Sequence, residues 1–499
     1  MIYSHFVSDD IHATGVISLM VRIPERQGEA NSLLTFCAEC DIINHNGIKI
    51  IKSEVCGVEK LKFDLSKKYG NFKILNATNG GPWHKRHSND QFRSNFADYK
   101  AVGFPYSRNH DSADCTVYGG PYSHDITKIF TDFDADPCDP SSYDFACTDE
   151  SILVTLDAGT ETFFRLGQSI EHQVKKHGTL PPKDFKKWAV ICEHIIRHYN
   201  EGWADGFNLN IQYWEIWNEP NLDADESDNK RCWGGSTEEF LDLYEITSKH
   251  LKKCFPSLKI GGPAYAGYCP HGNIAWAERF LCEMQKREVE LDFFSWHLYE
   301  NQPEKIIALG EEIEELLIKY GYGDAENICS EWNYVKGWKD EFVYSLKMVH
   351  GLKDASFIVA TMSLAQRSST DMLMYYDTRP SGFNGLFDFY TYEKLKGYYP
   401  MLWYSDFYKL SGEVRAEREI DNVYYLCGED ERGKISAMIT YYTDDDNAEP
   451  RQLSVDFGRQ GSFDIYLLDE EHDSELCGRF DNNFEFTLTR HSCIMIKEI

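Results

Sequence analysis

Tyr213–Trp214–Glu215–Ile216–Trp217–Asn218–Glu219–Pro220–Asn221 is the stretch on which the fold reading turns. From Asn208 to Trp217 the chain is rich in β-branched and aromatic residues, and Pro220 cannot continue a hydrogen-bonded ladder, so a buried strand ends here. At its C-terminal tip stands Glu219, walled by tryptophans and preceded by the amide of Asn218. Such surroundings disfavour the charged carboxylate and raise its pKa, as a general acid near neutral pH requires. A second acid appears in the same setting. Ile328–Cys329–Ser330–Glu331–Trp332–Asn333 is a short apolar strand closed by Glu331 and followed by Trp and Asn. Two strand-end glutamates suggest paired-carboxylate chemistry on glycosides.

Outward from these two points, the middle of the chain alternates. Strands are expected at Phe72–Asn76, Ala101–Arg108, Glu161–Arg165, Ile211–Trp217, Leu258–Gly262, Leu291–His297, Asn327–Glu331 and Met372–Tyr376. Helical patterns lie between them. Asp184 to Tyr199 sets Trp188, Cys192, Ile195, Ile196 and Tyr199 on one face. Ser236–Thr237–Glu238–Glu239 is a capping box, and Ile306 to Tyr320 carries Ile313, Leu316 and Leu317 at helical spacing. Eight such repeats predict an α/β fold, a (β/α)₈ TIM barrel over residues 69–411. A doubly wound open sheet is the alternative, but no glycine-rich nucleotide turn follows an early strand. The barrel also explains why both glutamates fall at strand C-termini, the face on which barrels carry catalysis. Residues 1–68 and 412–499 read as short β runs, among them Ile17–Ile23, Gly47–Ile51, Val423–Cys427 and Ile435–Tyr441. These flanks are expected to build one accessory β-sandwich.

Composition narrows the function. The 499 residues carry 51 Lys and Arg against 81 Asp and Glu, a net charge of −30, which repels phosphate backbones and argues against nucleic acid as a partner. No window approaches the roughly 20 apolar residues of a membrane span. The start lacks the order of a secretory signal, and 15 scattered cysteines suit a reducing compartment, so a cytoplasmic location is expected. Aromatics make up 14% of the chain, which fits sugar stacking and large cores alike. The run Asp132-x-Asp134-x-Asp136 begins like a calcium loop, but Pro137 and Tyr143 stand where Gly and the bidentate Glu belong. Cys37-x-x-Cys40 lacks a matching pair for zinc. Neither a metal nor a cofactor is expected. A homo-oligomer is compatible with the sequence.

Four motifs, taken together, resemble glycoside hydrolase family 39, which includes β-xylosidases and α-L-iduronidases, within the retaining clan of (β/α)₈-barrel glycosidases. Trp217–Asn218–Glu219–Pro220 looks like that family's acid/base motif, and Glu331–Trp332–Asn333 like its nucleophile motif. Arg108–Asn109–His110 resembles an Arg-x-His segment at the tip of strand two, and His297–Leu298–Tyr299 a His-x-Tyr segment on strand six. The resemblance implies a retaining exo-glycosidase acting on short oligosaccharides, β-xylosidase-like as a first expectation, with Glu219 as acid/base and Glu331 as nucleophile.

Chemistry supports the same roles. A nucleophile must be ionised, and Arg108 with the Tyr299 hydroxyl would lower the pKa of Glu331. Trp217 would favour the neutral form of Glu219, and Asn218 could donate to the sugar 2-hydroxyl. The expected carboxyl separation is about 5–5.5 Å for retention, against about 6.5–9.5 Å for inversion. His110, His297, Tyr299, Trp332, His84, Trp217 and Asp377 complete the expected substrate-binding set, with Trp332 as a sugar platform and His84 in the loop after strand one. Plain alternatives stand beside each: core histidines, a structural Arg108, a rim ion pair at Asp377. A catalytically inactive carbohydrate-binding barrel and a transglycosylase using the same carboxylates are the rival functions.

Overall fold

The computed structural model describes residues 42–43, 49–50, 58–84, 94–111, 122–267, 274–481 and 483–499. Eight parallel strands close into a barrel in sequential order. Numbered within the barrel, they are β1 (Ile74–Asn79), β2 (Tyr106–Arg108), β3 (Glu161–Leu166), β4 (Tyr213–Ile216), β5 (Lys259–Ala266), β6 (Phe293–Glu300), β7 (Glu326–Tyr334) and β8 (Met372–Tyr375). Each expected strand is present. The strand expected from Ala101 is shorter: Phe96–Val102 is a helix closed by left-handed Gly103, and only Tyr106–Arg108 joins the barrel. The β-like run Ala101–Val102 misled because Val102, together with Tyr99, supplies the buried face of a short amphipathic helix.

Local chemistry sets the helices that wrap the barrel. Asp184 caps Phe185–Glu201 by accepting from the backbone N–H groups of Lys186 and Lys187. Ser236 and Glu239 form the reciprocal capping box of Thr237–Cys254. Pro303 opens Pro303–Lys319 at a first-turn position whose N–H has no helical partner. The barrel interior below the site is filled by Ala77, Phe163, Tyr213, Phe293, Ile328, Met372 and Met374.

Two further sheets make the accessory sandwich. One runs, in spatial order, Leu410–Glu413, Val423–Asp430, Ile435–Tyr441, Cys493–Glu498, Ser462–Leu468 and Asp473–Asp481. The other is Phe484–Leu488, Arg451–Asp456 and Glu59–Lys62, so a segment preceding the barrel pairs, in parallel, with one that follows it. Leu61, Phe63, Val455, Phe486 and Ile496 share its core. Ile42–Ile43 and Lys49–Ile50 form a small antiparallel pair. The run Ile17–Ile23 and the pair Cys37 and Cys40 lie outside the described residues. No helix among the described residues is long and apolar enough to cross a membrane.

The sandwich is seated on helix Leu352–Ala365, which is buried along nearly its whole length. Ser356 Oγ meets Thr440 Oγ1 at 2.9 Å, and buried Lys353 reaches Asp444 at 3.0 Å and Asp446 at 2.9 Å.

Candidate active site

The site is built at the C-terminal ends of β1, β2, β4, β6 and β7. Its centre is Arg108, fully buried at the tip of β2. The guanidinium spends its fork on three strands. Nε donates to Glu215 Oε2 at 2.6 Å, Nη1 to Glu331 Oε1 at 2.7 Å and Asn79 Oδ1 at 3.3 Å, and Nη2 to Asn218 Oδ1 at 2.7 Å. Burial works against the cation, but the carboxylates of Glu215 and Glu331 outweigh it and lift its pKa above the ordinary value. A planar, permanently charged fork is suited to such convergence, and an ammonium is not.

Backbone strain aims Glu219. After β4 the chain passes through left-handed Trp217 (φ 74°) and Glu219 (φ 48°). Trp217 N–H donates to Leu166 O of β3 at 2.6 Å, and Glu219 N–H to Ala264 O of β5 at 2.9 Å. The hook is thus pinned on both sides, which is how unfavourable φ values persist at a site. Gly167 gives it room: a Cβ there would stand 2.9 Å from Trp217 Cα.

Glu219 and Glu331 come together. His297 Nδ1 lies 2.9 Å from Glu219 Oε1 and 3.5 Å from Glu331 Oε2, and its Nε2 lies 3.1 Å from Ser330 Oγ. One oxygen of each carboxyl and a ring nitrogen of His297 all lie within 4.8 Å of one another. Nε2 thus pairs with the Ser330 hydroxyl, and Nδ1 faces the two acids. Tyr299 OH donates to Glu331 Oε2 at 2.5 Å. Burial pushes the His297 pKa down to about 4, so the ring is neutral near pH 7.

The two acids differ in electrostatics. Burial lifts Glu219 to about 7, with Arg108 and Arg231 only partly opposing it. Glu331 was expected to be lowered by Arg108 and Tyr299. Its pKa is raised instead, because desolvation exceeds the relief from His297, Arg108 and Tyr299, and Glu219 adds repulsion. Glu331 nevertheless holds the stronger set of donors, and the difference between the acids comes from direct Arg108 and Tyr299 hydrogen bonds that Glu219 lacks.

Other expected residues divide. Asn218, Arg108, His110, His297 and Tyr299 surround the pair. Trp332 is corrected: it is fully buried, edge-on to Tyr375 at 5.4 Å and against Phe357 of the covering helix, so it is core and not a sugar platform. Trp217 is likewise buried among Trp188 and Trp233, with Nε1 donating to Cys232 O at 2.9 Å. Side chains alternate across a strand, so Trp332, next to inward Glu331, points outward to the helices; Trp217 lies past the end of β4, where its left-handed φ of 74° breaks the alternation. Asp377 is fully buried and accepts from Arg379 Nε at 2.5 Å, so the rim ion pair describes it. His84 pairs with Ser94 Oγ at 3.1 Å and packs on Phe96, away from the two acids in every contact it makes among the described residues.

Sequence reasoning passed over Glu215 and Asn79. Glu215 is a fully buried charge inside an apolar strand, and that oddity was itself the signal for a buried cationic partner. Trp338, more than half exposed at the rim and edge-on to Tyr299 at 5.3 Å, was also passed over. By donor type Glu219, His297 and Glu331 could ligate a metal, as could Glu193, His250 and Cys254 on the outer helices. In the first group, His297 Nδ1 is already the hydrogen-bond partner of Glu219.

Residues 122–396, more than half of the chain, match the model of glycosyl hydrolases family 39. The chain belongs to this family. It is 28% identical over 209 residues to a β-xylosidase of Geobacillus stearothermophilus, covering 40% of this chain and 37% of that one. It is 26% identical over 284 residues to a β-xylosidase of Caldicellulosiruptor saccharolyticus, covering 52% and 51%. The alignments thus span about a third to a half of these relatives. Among solved structures, a glucosidase from Croceicoccus marinus superimposes with a TM-score of 0.71 at 20% identity, over 89% of this chain and 99% of that one. That likeness is one of fold.

Proposed function

We propose that this family 39 chain is a retaining glycosidase that removes a terminal sugar from short soluble glycosides, with β-xylosides as the first substrate class, in the cytoplasm. The supporting observation is the separation of the acids. Carboxyl oxygens of Glu219 and Glu331 within 4.8 Å leave room for an anomeric carbon but little for an interposed water, and that favours double displacement.

In this reading Glu331 attacks the anomeric carbon, with Arg108 and Tyr299 holding its two oxygens. Glu219, protonated below pH about 7, gives its proton to the departing oxygen and then takes one from water. Asn218 offers an amide to the sugar 2-hydroxyl while its carbonyl is held by Arg108. His297 keeps the acids apart in role by facing both. The aromatic rim of Trp338, Phe342 and Phe383 beside Tyr299 offers stacking surface for a sugar or aryl aglycone.

The test is a screen of nitrophenyl glycosides with proton NMR of the first-formed anomer. The expected result is turnover with net retention, abolished in Glu331→Ala. An inverted product, or unchanged turnover in Glu331→Ala, would overturn the reading.

A further inference from the structure

Asp111 follows His110 at the mouth of the barrel and takes no part in the chemistry above. Its Oδ2 is fully engaged: Tyr376 OH donates to it at 2.6 Å, and Arg379 Nη2 stands 3.4 Å away. Its Oδ1 is buried and has no hydrogen-bond partner among the described residues. The side chain is only one-tenth exposed. A buried carboxylate oxygen left without a donor is costly unless something supplies one.

The geometry around Oδ1 says what that donor is. His110 Nε2 lies 3.9 Å from Asp111 Oδ1 and 4.0 Å from Glu331 Oε1. Arg165 Nε donates to His110 Nδ1 at 3.1 Å, so the single proton of the neutral ring sits on Nε2. A donor and an acceptor 3.9 Å apart fit one hydroxyl between them, which accepts from Nε2–H and donates to Oδ1 at ordinary distances of roughly 2.8 Å. Because His110 also borders Glu331, that hydroxyl belongs to the sugar whose anomeric carbon meets the nucleophile. Asn218 is already assigned to the 2-hydroxyl, so the clamped group is at C3 or C4.

Arg379 is shared between Asp111 and Asp377, two carboxylates on one guanidinium, and holds the Asp111 carboxyl in place.

We propose that Asp111 is a specificity-determining residue of this site: with His110 it clamps the C3 or C4 hydroxyl of the sugar. The proposal rests on the glycosidase reading for its substrate, but its test does not require turnover.

The whole protein and its Asp111→Ala and Asp111→Asn variants are compared on nitrophenyl β-D-xyloside and its 3-deoxy and 4-deoxy analogues. Both kcat/KM and, in a Glu331→Ala background, calorimetric affinity are measured. Wild type should lose about 10- to 150-fold on one deoxy analogue, the range for a hydrogen bond to a charged group. Asp111→Ala should lose a similar factor on the parent xyloside and little more on that analogue. Asp111→Asn, nearly isosteric, should fold as wild type by circular dichroism and lose less than Asp111→Ala on the parent xyloside, because its amide oxygen still accepts. Equal losses for Asp111→Ala on the parent and both deoxy sugars would overturn the proposal. If no glycoside is turned over, the glycosidase reading fails alone, and the affinities still decide the role of Asp111.

Discussion

His297 Nδ1 lies 2.9 Å from Glu219 Oε1, a neutral ring set against an acid that burial holds near pH 7. Burial is what keeps Glu219 protonated, against the opposing charges of Arg108 and Arg231. The catalytically useful form is the protonated one, so kcat/KM should fall as pH rises through about 7. Glu219→Ala should abolish that limb and regain turnover on activated aryl glycosides when azide is added. A limb unmoved in Glu219→Ala would assign it to another group.

The same shift has a stability consequence. Glu219 ionises near 4.5 when unfolded and near 7 when folded. A raised folded pKa means stability that is full below pH about 4.5 and lost as pH rises through 7. Glu219→Gln should therefore stabilise the protein at pH 8 by up to roughly 3 kcal/mol, with little gain at pH 4. Urea denaturation at the two pH values reads the difference. An equal change at both would show that packing, not ionisation, is responsible.

Arg108 and Glu215 form a buried pair whose members depend on each other. Removing the cation in Arg108→Gln leaves the Glu215 carboxyl buried without its partner, and breaking such a pair costs about 3–5 kcal/mol. The double variant Arg108→Gln with Glu215→Gln should recover much of that stability, because no charge is then left uncompensated at the pair. Activity should not return, since Glu331 and Asn218 remain without the guanidinium. Thermal melts beside kinetics on wild type, Arg108→Gln and the double variant separate the two effects.

The barrel and its two acids were legible because the signals are local: strand-length apolar runs, a proline stop, a glutamate at each tip. Direction was not. Whether Trp332 looks into the pocket or out to helix Leu352–Ala365 depends on strand register, and β7 carries a register shift between Cys329 and Glu331. The Glu331 pKa was misread for a related reason. Its donors can be guessed from the sequence, but the depth of its burial is set by five strands at once. Glu215 lay in plain view, yet its role needs Arg108, a partner 107 positions away.

The tryptophan correction makes its own prediction. Trp332→Leu removes core volume between Tyr375 and Phe357 and should destabilise by about 3–5 kcal/mol or somewhat less, since leucine refills part of the space. KM for xylosides in the folded fraction should stay within about twofold. Trp338→Ala should do the reverse, raising KM for aryl or disaccharide substrates with little change in stability, because its ring is more than half exposed. A raised KM in Trp332→Leu would restore the platform role.

The junction between barrel and sandwich turns on Lys353. Its ammonium is nearly fully buried between the two layers, reaching Asp444 at 3.0 Å, Asp446 at 2.9 Å and Tyr344 OH at 2.8 Å. Asp444 in turn accepts from Tyr334 at 2.7 Å and from Asn301 at 2.8 Å, so one loop of the sandwich ties together the ends of β6 and β7. Donors from Lys336, Tyr334 and Lys353 hold Asp444 down to about 2 against the opposing effect of burial. Lys353→Ala leaves Asp444 with Lys336 at 2.8 Å but strips the buried side of the contact. The expected cost is about 3–5 kcal/mol. Because Asp444 carries a depressed pKa, its share of stability is present above pH about 4 and lost as pH falls toward 2. The Lys353→Ala penalty should therefore shrink in acid, where the carboxylates protonate. Calorimetric melts at pH 7 and pH 3 give the comparison. A penalty of the same size at both would make the contribution of Lys353 one of packing by its methylene stem.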